Sequence, residues 1–253
     1  MVKPILKTEK LTKRFGGLKA VDEVDFEIQP NEICALIGPN GAGKTTFFNL
    51  LSGVLRPSHG RISFKGRNIT DLSPHHRCTL GLSRTFQKNS LFAELTVFEN
   101  LRLGVEVGYG NKNGFWRRAD SNRAVKDKVH ELLALVDFEG KGPLLSETLS
   151  HGDQRLLEVL LGLATKPDLL LLDEPAAGLS PAETHRMIDQ IKHLSQEAIS
   201  NVIIVEHDME VVTELASRIY VLHHGRILCT GDVEEVKCHP QVQEVYLGRS
   251  ADA

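Results

Sequence analysis

Two hydrophobic periods alternate along the chain. In KAVDEVDFEI (19–28), Val24, Phe26 and Ile28 alternate with Asp25 and Glu27, predicting a half-buried strand closed by the turn QPNE. ICALI (33–37) is apolar throughout, as in a strand covered on both faces. RISFKGRNI (61–69) reads as a hairpin. Residues 91–165 predict mostly helix, broken by the polar, glycine-rich GVEVGYGNKNGFWRRAD at 104–120. That stretch exceeds most connections in compact domains and reads as a surface insertion. Beyond it come the strand DLLLLDE and the helix PAETHRMIDQIKHL, with Met187, Ile188, Ile191 and Leu194 on one face. The strand NVIIVEHD, the helix MEVVTELASR and a hairpin in RIYVLHHGRILCTG turning near Gly225 follow. Residues 232–247 predict a C-terminal helix, and the final SADA should fray. Such alternation predicts an α/β fold, a parallel sheet covered by helices.

Between ICALI and FFNLLSGVL lies GPNGAGKTT, in which Gly38, Gly41, Gly43, Lys44 and Thr45 fit the G-x-x-x-x-G-K-[ST] spacing. Glycines let the backbone curl so that successive N–H groups point at an anion. The helix that follows adds the positive end of its dipole. Lys44 suits outer phosphates and the Thr45 hydroxyl suits Mg²⁺. LLLLDEP ends a buried strand in Asp173 and Glu174. The first carboxylate suits Mg²⁺, and the second suits the orientation and deprotonation of an attacking water. Ser150 reads as a helix N-cap before Leu156, Leu157, Leu160 and Leu163, with Asp153 where a capping-box acid sits. Ser150 either only caps that helix or also meets a phosphate. In Ser180-Pro181-Ala182-Glu183, a cap serine, a first-turn proline and a glutamate three on start another helix.

Composition narrows the setting. The 253 residues, 41% hydrophobic and 25% charged, suit one large domain or two packed lobes. A net charge of −3 offers no general basic field for nucleic acid. The apolar runs fall far short of a membrane span, and MVKPILKTEKLTKRF lacks the apolar core of a secretion signal, so the cytosol is the expected compartment. Cys34, Cys78, Cys229 and Cys238 show no CxxC pairing and read as structural thiols. The pairs His75–His76 and His223–His224 read as loop and turn residues. Trp116, beside Arg117 and Arg118, reads as a contact site or a local loop anchor.

LSHGDQR (149–155) is a variant of LSGGQ, and with it the chain resembles the ATP-binding subunits of ABC transporters. GPNGAGKT, Gln87 in RTFQ, LSHGDQ, LLLLDEP and His207 in VEHD stand in that family's order. FGGLKAV, RTFQ, LTVFENL, LDEPAAGL, IVEHDM and HPQVQEVYLG look like the branched-chain amino acid importer ATPases. The resemblance implies a P-loop NTPase fold: a RecA-like parallel-sheet core, an N-terminal antiparallel β subdomain and an α-helical subdomain. As one ABC ATPase domain (1–253), the chain would divide into 1–90 (β subdomain and first core part), 91–165 (helical, with the 104–120 insertion), 166–231 (rest of the core) and 232–253 (C-terminal helix and tail).

ATP and Mg²⁺ are the implied ligands. Gly38, Asn40, Gly41, Gly43, Lys44, Thr45 and Thr46 would hold phosphates, and Phe15 would stack on adenine. Thr45, Gln87 and Asp173 would serve Mg²⁺, while Glu174, His207 and Gln87 would serve hydrolysis. Two ATPase subunits would meet head to tail, bringing Ser150 and Gly152 to the partner's γ-phosphate. Two membrane permeases, a solute-binding protein and a second ATPase are the implied partners, with a heterodimer in the cell, a homodimer in isolation and no nucleic acid. The place implied is the cytoplasmic face of the inner membrane. A short permease helix would dock near LFAELTVFEN (91–100), where Phe92, Val97 and Phe98 form a wall or belong to the core.

His151 and Asp153 depart from LSGGQ, and Ser180 stands where many members have aspartate. These departures bear on ATP grip and on communication between sites. A related exporter or lipid-extraction ATPase, or a soluble ABC ATPase, are the competing readings.

Overall fold

The computed structural model describes the backbone of residues 3–85, 91–109 and 118–247 and the side chains of those residues except 118–122 and 246–247. In chain order the elements are β1 (Leu6–Phe15), β2 (Leu18–Ile28), β3 (Ile33–Ile37), α1 (Lys44–Ser52), β4 (His59–Phe64), β5 (Arg67–Asn68), α2 (Pro74–Thr79) and β6 (Leu82–Arg84). There follow α3 (Val97–Gly108), α4 (Arg118–Ala134), α5 (His151–Ala164), β7 (Leu169–Asp173), α6 (Pro181–Glu197) and β8 (Val202–Val205). The chain ends in α7 (Met209–Leu215), β9 (Arg218–His223), β10 (Arg226–Gly231), α8 (Val233–Cys238) and α9 (Pro240–Leu247). Two compact units result, Met1–Arg77 with Ser200–Ala253, and Cys78–Ile199.

In the first unit β2, β1, β4 and β5 form an antiparallel sheet in that order. The alternation read from the sequence is real, with Val24, Phe26 and Ile28 buried and Asp25 exposed. β3 lies between β8 and β9 and runs parallel to both, pairing Ala35 with Ile204 and with Ile219. This explains the unbroken apolar run of β3: both its edges are paired and both its faces covered. Ala35, Ile37, Ile219 and Val221 pack against Val212, Ala216, Val236 and Val242 from the helices. Tyr220, pointing to the opposite face, stacks 4.4 Å from Phe26, whose ring also meets Phe47 of α1 at 5.4 Å.

The far end of α1 is closed by Arg77, which is fully buried. Its guanidinium donates to the carbonyls of Leu50 (2.6 Å) and Leu51 (2.7 Å) at the helix end, and to Thr70 (2.9 Å) and Leu72 (3.0 Å). A cation at a helix C-terminus meets the negative end of its dipole. Burial brings this guanidinium down to about 10, still charged at neutral pH.

In the second unit β6 and β7 pair in parallel, and α3 packs on α5. The stretch from 104 begins inside α3, which continues to Gly108, and α4 has begun by Arg118. Gly104 and Gly108 read as loop residues, but here they admit a neighbour. A Cβ on Gly104 would stand 2.8 Å from the Ala164 Cβ, and one on Gly108 2.5 Å from Thr165. Trp116 and Arg117, the side chain of Arg118, and the SADA ending lie outside what the structure describes.

The expected single C-terminal helix is two, broken at His239–Pro240. Proline lacks the N–H that a continuing helix needs and disfavours helical backbone at the residue before it. Cys34, Cys78, Cys229 and Cys238 are free thiols, and no helix among the described residues is long and apolar enough to cross a membrane.

Candidate functional site

In the first unit the loop between β3 and α1 is shaped by what presses on it. Gly38 has φ 153° and Gly43 φ 106°. A Cβ on Gly38 would fall 2.1 Å from the Leu222 carbonyl oxygen, and one on Gly43 2.3 Å from that of Ala20. Gly41, at φ 80°, faces open space, so only its backbone conformation calls for glycine. The β9–β10 turn is bolted to the loop: Gly225 N–H donates to the Ala42 carbonyl (2.9 Å), and Asp22 N–H donates to that of Gly225 (2.8 Å). Asp22 in turn takes Arg226 at 2.6 Å and Lys19 at 2.8 Å, which hold its carboxyl below the ordinary range.

α1 begins at Lys44 with Gly43 as its cap residue, so no capping side chain covers the N–H groups of its first turn. Lys44 Nζ is buried and lies over the loop, donating to the carbonyls of Gly38 and Pro39 (3.1 Å). Asn40 and Thr45 are exposed beside it, and Thr46 is half-buried. The result is a helix start of the kind that suits an anion, with a cation across it. Phe15, 49% exposed at the end of β1, carries the Lys13 ammonium 5.2 Å from its ring centre. His207 follows β8 with an exposed ring, and its backbone N–H donates to the buried Glu206 carboxylate at 3.2 Å. The sequence pattern carries no signal that Asp22 and the Gly225 turn meet the loop, because those contacts are made across the fold, nor that Glu206 is buried.

In the second unit β7 delivers Asp173 into a buried position, where Arg84 Nη2 donates to its carboxylate at 2.6 Å. Thr85 continues the pairing beyond β6, its N–H donating to Leu171 O at 3.0 Å and its hydroxyl accepting from Asp173 N–H at 3.4 Å. Arg84 is the residue that sequence reading passes over; its signal is a lone arginine in RTFQ aimed at a strand-end acid. Glu174, next along, has φ 50°. For a non-glycine residue that conformation costs about 1–3 kcal/mol and concentrates at functional positions. Gln87 lies outside the described residues.

Ser150 caps α5, accepting the Asp153 N–H at 3.2 Å. Asp153 does not close a capping box. Its carboxylate is drawn away by Lys141 (2.6 Å) and Arg186 (3.3 Å), two cations that outcompete one backbone N–H. Ser180 does close its box with Glu183, as the sequence predicts, behind Pro181 at the first helical position. Phe92 is 57% exposed, whereas Val97 is core and Phe98 half-buried. Of the wall read at 91–100, Val97 therefore belongs to the packing.

Thr45 in the first unit offers a hydroxyl and Asp173 in the second a carboxylate, each a hard oxygen donor of the kind Mg²⁺ takes. Among the described residues no group of three His, Cys, Asp or Glu side chains forms a metal cage of its own. Each donor, taken by itself, is of a kind that suits a cation arriving with phosphate.

Comparison with known proteins identifies the family. The family model described as "ABC transporter" matches residues 21–177, and one described as "Branched-chain amino acid ATP-binding cassette transporter" matches 226–252. The chain is 38% identical to the high-affinity branched-chain amino acid transport ATP-binding protein LivG of Escherichia coli (strain K12), over 99% of this chain and 100% of that one. A crystal structure of the ADP conformation of an ATP-binding cassette of an ABC transporter superposes with TM-score 0.86 at 29% identity, covering 98% of this chain and 100% of that one. A dimeric post-hydrolysis cassette bound to ADP and phosphate shares the fold, with TM-score 0.75 at 23% identity, covering 90% and 98%.

Proposed function

The chain belongs to the ATP-binding subunits of ABC transporters, and from that premise we propose that it powers uptake of branched-chain or related hydrophobic amino acids. It is an ATPase of P-loop fold. The reading extends to its setting: the cytoplasmic face of the inner membrane, two separate permeases, a solute-binding protein and a second ATPase subunit. A heterodimer is the form proposed for the cell, and a homodimer for the isolated chain. Transport of branched-chain amino acids by the full-length relative and the C-terminal match at 226–252 support the solute class.

The observation that carries the chemistry is the glycine loop. Its backbone is pinned where side chains cannot enter, and it ends in an uncapped helix start with Lys44 across it. Gly38 to Thr46 would hold the β- and γ-phosphates, and Phe15 would cover adenine. Mg²⁺, when bound, would offset phosphate charge, with Thr45, Asp173 and Gln87 its protein donors. Glu174 would orient and deprotonate water, and His207 would hold that water and the γ-phosphate in line. Ser150 and Gly152 would meet the nucleotide of the partner subunit.

ATP then works as a clamp, closing two subunits on binding and releasing them after hydrolysis. Moving such an equilibrium from 1:99 to 99:1 takes about 5.5 kcal/mol of differential affinity, within reach of several charge-assisted bonds at two sites. Phe92, exposed beside α3, is the proposed contact for the permease helix.

Glu174→Gln should bind ATP normally, hydrolyse it roughly 100-fold or more slowly and accumulate dimers; normal phosphate release would remove Glu174 from the role. Lys44→Ala should abolish measurable ATP binding by calorimetry, and unchanged affinity would sink the phosphate assignment. For the solute class, the decisive test is purification from detergent-solubilised membranes. Two permeases and a second cassette support importer work, whereas soluble partners alone overturn it.

A further inference from the structure

A buried ion pair stands at the end of β7. The register sets Arg84 of β6 opposite Leu171 of β7, and side chains two apart on a strand share a face. Arg84 and Asp173 are therefore diagonal neighbours on one face, with the guanidinium Nη2 2.6 Å from the carboxylate Oδ2. The Asp173 side chain has no exposed surface and that of Arg84 keeps 8%, so solvent screens the pair little. Bracing the strands does not call for it. The ladder already joins Leu82 to Leu169 and Ser83 to Leu170. Thr85 extends it, its N–H donating to the Leu171 carbonyl and its hydroxyl accepting the Asp173 N–H. A buried ion pair is also weak evidence of stability, since desolvation offsets much of the attraction. What the arginine supplies is a positive charge against a fully buried acid.

We propose that Arg84 is a positioning residue for metal loading: it holds the Asp173 carboxylate before Mg²⁺ arrives with ATP, and then competes with the metal for it. The inference rests on the reading that Asp173 serves Mg²⁺. Its sign follows from charge. A carboxylate already paired with a guanidinium presents a weaker negative field to a second cation, and two cations on one carboxylate repel each other. Arg84 thus stabilises the end of β7 without the metal and raises the Mg²⁺ concentration at which the metal binds. Removing one partner of a buried pair leaves the other charge uncompensated, which costs stability. A cation bound at Asp173 would return part of that loss, so the cost of losing Arg84 should depend on Mg²⁺. A plain brace between strands would cost the same with or without the metal.

The test is a Mg²⁺ titration of the full chain at a fixed concentration of a non-hydrolysable ATP analogue, read as melting temperature. Arg84→Met should melt below the parent without Mg²⁺, and the gap should narrow as Mg²⁺ is added. The Mg²⁺ midpoint should fall roughly three- to thirtyfold below the parent's, the size of coupling between groups in one network. Arg84→Lys keeps the charge and should stay near the parent's midpoint. Should Arg84→Met prove insoluble, Arg84→Gln also removes the charge and should lower the midpoint in the same way. Asp173→Asn separates this inference from the reading beneath it. If its midpoint is no higher than the parent's, Asp173 does not serve Mg²⁺, and the inference falls with that reading. If its midpoint rises while that of Arg84→Met is unchanged or raised, the reading stands and the inference is overturned, leaving Arg84 a brace between strands.

Discussion

At Gly38, Gly41 and Gly43 one residue type serves two different needs. Gly38 and Gly43 are held by backbone oxygens at 2.1 and 2.3 Å from a would-be Cβ, neither of which can retreat without moving β9 or β2. Gly41 answers only to its φ of 80°. Gly41→Ala should therefore cost about 1–2 kcal/mol of stability and spare most nucleotide affinity, whereas Gly38→Ala and Gly43→Ala should distort the loop and lose ATP binding. Fluorescent-nucleotide titration with thermal melting of the three variants separates the cases, and equal affinities would refute the distinction. These glycines, Lys44 and Asp173 were legible because their spacing is local. Arg84 on Asp173 and Glu206 beside His207 were not, since the partner lies in another element or the effect derives from burial.

At the scale of elements, helix starts were the best-read features. Ser150 and Ser180 cap as their sequences predict, because a cap is made within four residues. Glycine inside α3 was misread as loop, since the reason for Gly104 is Ala164 on another helix. Gly104→Leu should lower stability by about 1–3 kcal/mol, the usual cost of overpacking, measurable as a lower urea midpoint with unchanged slope. Arg77 makes the converse point. Arg77→Met fits the space but takes a donor from four carbonyls, of which Leu50 keeps the Gly53 N–H, and a buried carbonyl left unpaired costs about 1–3 kcal/mol. Marked destabilisation with loss of order in α1, followed by hydrogen exchange, is expected; a variant as stable as the parent would show that water takes the arginine's place.

Across the whole molecule, several carboxylates titrate low for the same reason. Asp22 is held down by Lys19 and Arg226, Glu99 by its Thr96 cap, and Glu183 by Ser180. A folded value below the unfolded one adds stability that is complete above the unfolded range near pH 4 and is lost as pH falls through the folded value. The melting temperature should thus hold level from neutrality to about pH 5 and drop below it. Asp22→Asn should melt lower than the parent at pH 7 and converge with it in strong acid. A gap that persists at low pH would assign the loss to packing instead.

By itself the sequence determined the alternation of strand and helix from β7 onward, the glycine loop between β3 and α1, the strand-end acids and the helix caps. All of these rest on periodicity or on contacts between residues a few positions apart. Tertiary structure alone decided which glycines are pressed by a backbone oxygen and where Asp153 sends its carboxylate. It also decided that Gly104 belongs to a helix and that Arg77 closes α1. Those outcomes depend on distances between elements far apart in the chain, which a one-dimensional pattern does not encode.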